Sequence, residues 1–330
     1  MSGNSLRRGG VARSIAEESL QKLLARASLL VPEPPALARL SRLRGRLADE
    51  LLFRRRHELA RARLAGPGSI AQIAESLVAE HRRAMSERAG EAGWARIALR
   101  IDERLPTDEA EYMDRPEIDE QRRTAIVMAV HRWSRRFGSY AHFADALSPL
   151  LSSDSTSVLD LASGHGGFPL ALGRLTGRGR RLRVIASDVR PEYVELGRRR
   201  ARDEGVEFRV VDAFHLGASF GVGEIDVITC TQSLHHFGVG GVATLLGEAI
   251  HHARRGVLLI DLARSVSRLL LVGAAALGTL DRAILHDTAL SFRKAFVTEE
   301  LRLIAACVPG GDSVEALYLP PGFVALRTRR

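Results

Sequence analysis

The sequence predicts an α/β protein. A seven-stranded sheet carries helices on both faces, ends in an antiparallel hairpin, and follows an all-helical N-terminal region. Three observations carry this prediction. After Ser152, short apolar runs alternate with helical stretches, the pattern of parallel strands buried on both faces. The chain ends in two apolar runs, Val314–Leu319 and Phe323–Thr328, around Pro320-Pro321-Gly322, which reads as a hairpin. Before Ser152, apolar residues recur at helical spacing.

Taken in order, Leu20, Leu23 and Leu24, then Leu37, Leu40, Leu43 and Leu47, place helices within residues 12–64. Val31-Pro-Glu-Pro-Pro35 and Gly66-Pro-Gly68 interrupt them. Ser69 is the expected N-cap of a helix reaching about Glu87. The stretch Asp102 to Ile118 is acidic, holds Pro106 and Pro116, and reads as a connecting loop. A helical region is expected from Asp119 to about Leu151. The five βα strands are expected at Val158–Leu161, Leu182–Ala186, Phe208–Val211, Ile225–Cys230 and Val257–Leu262. The division follows: a helical region over 1–110, and the sheet domain over 111–330.

Composition narrows the class. The chain has 330 residues, 45% hydrophobic and 26% charged, ordinary for a globular protein. Its aromatic share of 5% means an aliphatic core. The net charge of +9 is concentrated early, because residues 1–65 hold fourteen Lys and Arg against six Asp and Glu. Such an arm attracts nucleic acid, an anionic membrane surface or an acidic partner; the plainer reading is a solvated helical face. Lysine occurs only at Lys22 and Lys294. Cys230 and Cys307 lie far apart without metal-ligand spacing, so reduced buried thiols and a cytoplasmic location are expected. No metal constellation is visible. The longest apolar run, Leu269 to Leu280, is too short to span a bilayer. The first residues are rich in Ser and Arg but lack the apolar stretch of a secretory signal, and read as a flexible terminus.

The first sheet strand runs into Val158-Leu-Asp-Leu-Ala-Ser-Gly-His-Gly-Gly167. A glycine turn between strand and helix admits a ligand to the backbone and to the helix N-terminus. Alone it would also suit a dinucleotide. Three details argue otherwise. Pro169 occupies the third glycine position of G-x-G-x-x-G. Asp160, beside the loop, would repel a pyrophosphate and favour a ligand carrying an ammonium and a sulfonium. Asp188 and Asp212 end the next two strands, so three carboxylates converge on the edge where open α/β sheets bind ligands.

Here the sequence resembles the class I S-adenosylmethionine (SAM)-dependent methyltransferases, a Rossmann-like family. VLDLASGHG (158–166) looks like their first motif, with Ala162 in place of the usual first glycine. VIASD (184–188), VVDAF (210–214), DVITCTQSLHHF (226–237) and VLLIDLARS (257–265) resemble the motifs that follow. The S-L-H-H run is similar to the quinone-biosynthesis-like, small-molecule branch. The resemblance covers about residues 120–330, and EYMDRPEID (111–119) looks like a segment preceding the core in some bacterial small-molecule methyltransferases.

The resemblance implies SAM as cofactor. Asp160 and the loop residues Ala162, Ser163, Gly164 and Gly166 would hold its methionine part. Asp188 would hold the ribose, and Asp212 with Phe214 the adenine; Val189, Ala213 and Thr231 complete the cofactor-binding set. His235 or His236 would face the acceptor as a base, with Gln232 beside them. An insertion over 264–297 is expected to wall the substrate site, with His286 as a further catalytic candidate and Asp287 and Arg293 contacting substrate. Its apolar character suits a hydrophobic or aromatic acceptor methylated at oxygen, in bacterial secondary metabolism. The N-terminal helices are candidates for a dimerisation surface or a lid. Two alternatives stand beside this: an RNA or DNA methyltransferase using the basic arm, and a SAM-binding module without catalysis. Against nucleic acid, the fourth motif lacks both Asn/Asp-Pro-Pro-aromatic and Pro-Cys, and residues 1–52 contain no aromatic side chain.

Overall fold

A computed structural model of the chain describes residues 35–88, 105–107, 109–115, 117–152, 155–176, 181–201, 205–264, 282–320 and 322–329. The Leu20–Leu24 helix and the apolar run Leu269–Leu280 lie outside the described residues.

Seven strands form one sheet: β1 (Ser155–Leu161), β2 (Arg181–Asp188), β3 (Val206–Val210), β4 (Ile225–Thr231), β5 (Ala253–Leu262), β6 (Val314–Leu319) and β7 (Phe323–Thr328). Their order is β3-β2-β1-β4-β5-β7-β6. The first five run parallel, whereas β7 is antiparallel to both β5 and β6. The order reverses between β1 and β4, and that switch point is where a ligand can reach the carboxyl ends of the strands. Every residue of β4 is buried, as a central strand covered on both faces requires.

Alternation along the strands divides two cores. Leu159, Leu161, Ile185, Ile228 and Leu259 belong to one; Val158, Val184, Val227, Leu258 and Ile260 belong to the other. The first core also contains Ala48, Leu51 and Leu59 from α1 (Pro35–Ala65) and Ile73, Leu77 and Val78 from α2 (Pro67–Arg88). These two N-terminal helices therefore share an interior with the sheet. An ion pair network reinforces the junction: the fully buried Glu300 accepts from Arg82 of α2 at 2.7 Å and from Arg264, just after β5, at 2.8 Å. The two guanidiniums hold its carboxyl well below the usual range despite burial.

Local differences from expectation have simple causes. The helix expected to start at Ile70, after an N-cap at Ser69, begins three residues earlier, at Pro67, because proline suits a first helical turn. The helical region after Asp119 is split into α3 (Glu120–Arg136) and α4 (Ser139–Leu147). Gly138, at φ 68°, takes the left-handed conformation between them. Asp119 caps α3 by accepting from the Arg122 amide at 2.8 Å. Among the described residues the further helices are α5 (Gly167–Thr176), α6 (Pro191–Arg200), α7 (Gly238–His252), α8 (Arg282–Lys294) and α9 (Thr298–Cys307).

Candidate active site

The β1–α5 turn is built from three left-handed residues: Ala162 (φ 48°), Gly164 (φ 55°) and Gly166 (φ 78°). A Cβ on Gly166 would lie 2.5 Å from the Phe208 ring, so only glycine fits there. The loop is latched to β2. The Ser163 amide donates to the Ser187 carbonyl at 2.8 Å, and the Gly164 amide donates to Asp188 Oδ2 at 2.8 Å. Asp188 Oδ1 accepts from the Arg190 amide at 2.9 Å. One carboxylate thus sets the first two loops of the sheet edge against each other.

Asp160 is fully buried, and Thr229 donates to its Oδ1 at 2.6 Å. Burial raises its carboxyl to about 7, the Thr229 bond pulling the other way. Burial also raises Asp188, against the pull of the Arg190 and Gly164 amides. The loop retains buried polar atoms without protein partners: the Ser163 hydroxyl and both ring nitrogens of His165. Such atoms are costly unless something pairs with them. Helix α3 packs close to the loop, where a Cβ on Gly164 would lie 3.8 Å from Val127. Its His131 ring meets His165 edge-on at 5.0 Å, lies 2.9 Å from the Tyr140 hydroxyl through Nδ1, and accepts from Arg200 at 3.0 Å through Nε2. Burial and the charges of Arg200 and Arg135 push His131 down to about 4, so it is neutral at physiological pH.

At the third strand, Asp212 is exposed and accepts from the Phe214 amide at 2.9 Å and from His215 at 2.8 Å, which lowers its pKa. Ala213 is buried, and the Phe214 ring stands edge-on to Phe237 at 5.2 Å. Val189, directly after Asp188, is 61% exposed. Thr231, at the end of β4, is buried.

Beyond β4, Gln232 adopts φ 59°, a strained conformation for a long side chain. Ser134 of α3 donates to its Oε1 at 2.9 Å, and Ser233 donates to the Ala162 carbonyl at 3.0 Å. The first bond ties the fourth motif to α3 and the second ties it to the glycine loop. His235 and His236 follow on a single tight turn, their rings 4.3 Å apart. His235 Nδ1 lies 2.8 Å from the carboxylate of Asp261, the last-but-one residue of β5. Its Nε2 faces the buried Glu111 Oε1 at 3.6 Å, and His236 Nδ1 is 2.9 Å from Asp114. Burial raises Glu111 to about 7.

The insertion candidates form a separate group that holds the segment carrying Glu111. Asp287 accepts from the Tyr112 amide at 2.6 Å and the Met113 amide at 3.1 Å. His286 sits 3.3 Å from both Asp287 and Glu109. Arg293 donates to the Leu105 carbonyl at 3.1 Å. The structure thus brings His235 and His236 together, and sets His286, Asp287 and Arg293 beside Leu105, Glu109, Tyr112 and Met113. Sequence reasoning passed over Asp261, Glu111, Asp114 and His165. Asp261 carried a signal, since it too ends a parallel strand; Glu111 and Asp114 lay in EYMDRPEID, which marked only a boundary. No metal-ligand spacing is visible in the sequence, yet Glu111, His235 and His236 each offer a ligand atom within 4.8 Å of the others.

Residues 158–256, less than a third of the chain, match the methyltransferase domain family. No curated protein matches the sequence. Among solved structures, an O-methyltransferase family protein from Burkholderia thailandensis is 18% identical, covering 64% of this chain and 60% of its own, with a TM-score of 0.47. A magnesium protoporphyrin IX methyltransferase from Synechocystis, with S-adenosylhomocysteine bound, is 16% identical over 59% of this chain and 85% of its own, with a TM-score of 0.41. A plantazolicin methyltransferase is 15% identical over 59% and 71%, with a TM-score of 0.45. Residues 158–256, which run from β1 into β5, are thus similar to a methyltransferase domain, and the strand order and glycine loop are those of the Rossmann-like methyltransferase fold.

Proposed function

We propose that this protein transfers the methyl group of SAM to an oxygen of a hydrophobic or aromatic small molecule. One observation carries the reading: two buried carboxylates, Asp160 and Asp188, flank a glycine loop that keeps buried polar atoms without protein partners. An acidic, preorganised edge suits a cationic nucleoside and opposes a pyrophosphate. The residues present fit SAM. Asp160 and the Ala162–Gly166 loop would take the amino-acid part, Asp188 the ribose, and Val189, Ala213 and Phe214 the adenine, with Asp212 at its rim.

SAM supplies a methyl group already activated by its sulfonium. The chain's own residues need to bind it, align the acceptor and accommodate a proton. In this reading His235 faces the acceptor. Asp261 holds Nδ1, which turns the Nε2 lone pair to the opposite side of the ring, where Glu111 lies 3.6 Å away. Gln232, anchored by Ser134, lies next to it. The insertion, with His286, Asp287 and Arg293, shapes the acceptor side through the 105–114 segment.

The basic N-terminal helices give little support to a nucleic-acid substrate. Arg54 and Arg55 pair with Glu80, and Arg63 pairs with Asp312, as on a solvated helical face. In this reading the N-terminal helices, where Phe53 and Leu64 are exposed on α1, serve dimerisation. Among the described residues no helix is long and apolar enough to cross a membrane. The free, buried thiols of Cys230 and Cys307 are compatible with a reducing cytoplasm. The test is a metabolite screen: purified protein and SAM are incubated with cell extract, and mass spectrometry seeks compounds gaining one methyl group. Consumption of SAM with a methylated lipophilic product supports the reading; methylated RNA alone, or no turnover, refutes it.

A further inference from the structure

We propose that Glu111, His235 and His236 bind one divalent first-row transition-metal ion. Two imidazoles and one carboxylate are a donor set used by zinc and non-haem iron sites. Ligands about 2.1 Å from an ion sit about 3.0–3.4 Å from one another. His235 Nε2 and Glu111 Oε1 are 3.6 Å apart, and all three ligand atoms lie within 4.8 Å. Binding draws the three ligand atoms closer together, and His236, whose side chain is 20% exposed, is the least buried of the three.

The surroundings match what a metal site requires beyond its ligands. A metal-bound histidine gives its other ring nitrogen to a carboxylate, which orients the ring and raises its basicity. Asp261 does this for His235 at 2.8 Å, and Asp114 lies 2.9 Å from His236 Nδ1. Ser291 donates to Glu111 Oε2 at 3.1 Å. Glu111 Oε1, in a residue only 1% exposed, has no hydrogen-bond partner and is aimed into the cluster. A carboxylate in that position needs a cation or a donor. The backbone that carries Glu111 is pinned at the next two amides by Asp287, so the ligand is held in place.

The use of the ion rests on the methyl-transfer reading. An acceptor hydroxyl bound to the ion loses its proton to water, because coordination lowers its pKa. The oxygen lone pair then forms the new O–CH3 bond as the S–CH3 bond of SAM breaks. The sulfonium leaves as neutral S-adenosylhomocysteine. His235 serves here as a ligand, and the metal-bound oxygen is the nucleophile.

The test uses the full chain, stripped with a chelator and titrated with zinc chloride by calorimetry, with cobalt(II) absorption as a second readout. The wild type is expected to bind one equivalent and to show a cobalt ligand-field spectrum. Glu111→Gln and His236→Ala, checked for fold by circular dichroism, are expected to lose about tenfold or more in zinc affinity. No saturable uptake by the wild type, or retained affinity in either variant, overturns the assignment. SAM is titrated into the metal-free protein in parallel. SAM binding without zinc uptake sinks the metal site alone; zinc uptake without SAM binding sinks the methyltransferase reading alone.

Discussion

His235 Nδ1 lies 2.8 Å from Asp261, whose carboxylate is completely buried and also accepts the backbone amides of His235 and Leu262, each at 2.7 Å. The carboxylate therefore fixes both the position of the turn and the orientation of the ring. It selects the form of His235 with the proton on Nδ1 and the lone pair on Nε2. Whether that lone pair meets a proton or a metal ion, its direction is set from β5.

Replacing Asp261 tests this relationship. Asp261→Asn keeps the shape but removes the charge. Methyl transfer is expected to fall about 10–100-fold, the usual cost of losing a group that orients a reactive histidine. SAM affinity, measured by calorimetry, is expected to stay near wild type. An equal loss in both would show that Asp261 only supports the fold.

Asp188 joins the glycine loop to the start of α6 through two backbone amides. Asp188→Ala is expected to weaken SAM binding at least about tenfold, because a hydrogen bond to a charged group contributes about 1.5–3 kcal/mol. Unchanged affinity by calorimetry would remove Asp188 from the cofactor site.

Cofactor binding is expected to depend on pH through Asp160, whose carboxyl is raised to about 7 by burial. The ionised form attracts the cationic cofactor, so affinity rises as pH rises through that value and falls below it. Between pH 6 and pH 8 the ionised fraction changes about tenfold, and the dissociation constant is expected to follow. Asp160→Asn should bind more weakly at pH 8 and show a flat profile. A wild-type profile that is flat over the same range would contradict the assignment.

Gly166 is the test of the loop's shape. An alanine there would combine φ 78° with a Cβ 2.5 Å from the Phe208 ring. Overpacking and left-handed strain together cost about 2–4 kcal/mol. Urea unfolding of Gly166→Ala should show that loss. Gly217→Ala is the control, because its Cβ would meet nothing closer than His252 at 3.5 Å; it should stay within about 0.5 kcal/mol of wild type.

The alternation of strands and helices, the terminal hairpin and the row Asp160, Asp188, Asp212 were legible without coordinates. Burial on two faces leaves a local trace in the order of apolar and polar residues, and an Asp at a strand end is placed by its own strand. The split at Gly138 was less legible, since one glycine within a helical pattern is compatible with a continuous helix. The share of interior that α1 and α2 take from the sheet was not legible, because periodicity shows a buried face without naming what covers it.

What the sequence by itself determined is the class of fold and the acidic residues at or just past the ends of its first three strands, since both follow from short-range pattern. Only the tertiary structure decided the company of His235. Asp261 reaches it because β5 lies beside β4, and Glu111, 124 residues earlier, lies 3.6 Å from it on a segment whose next two amides Asp287 holds. Contacts between distant elements depend on strand order and chain path, which no local pattern encodes.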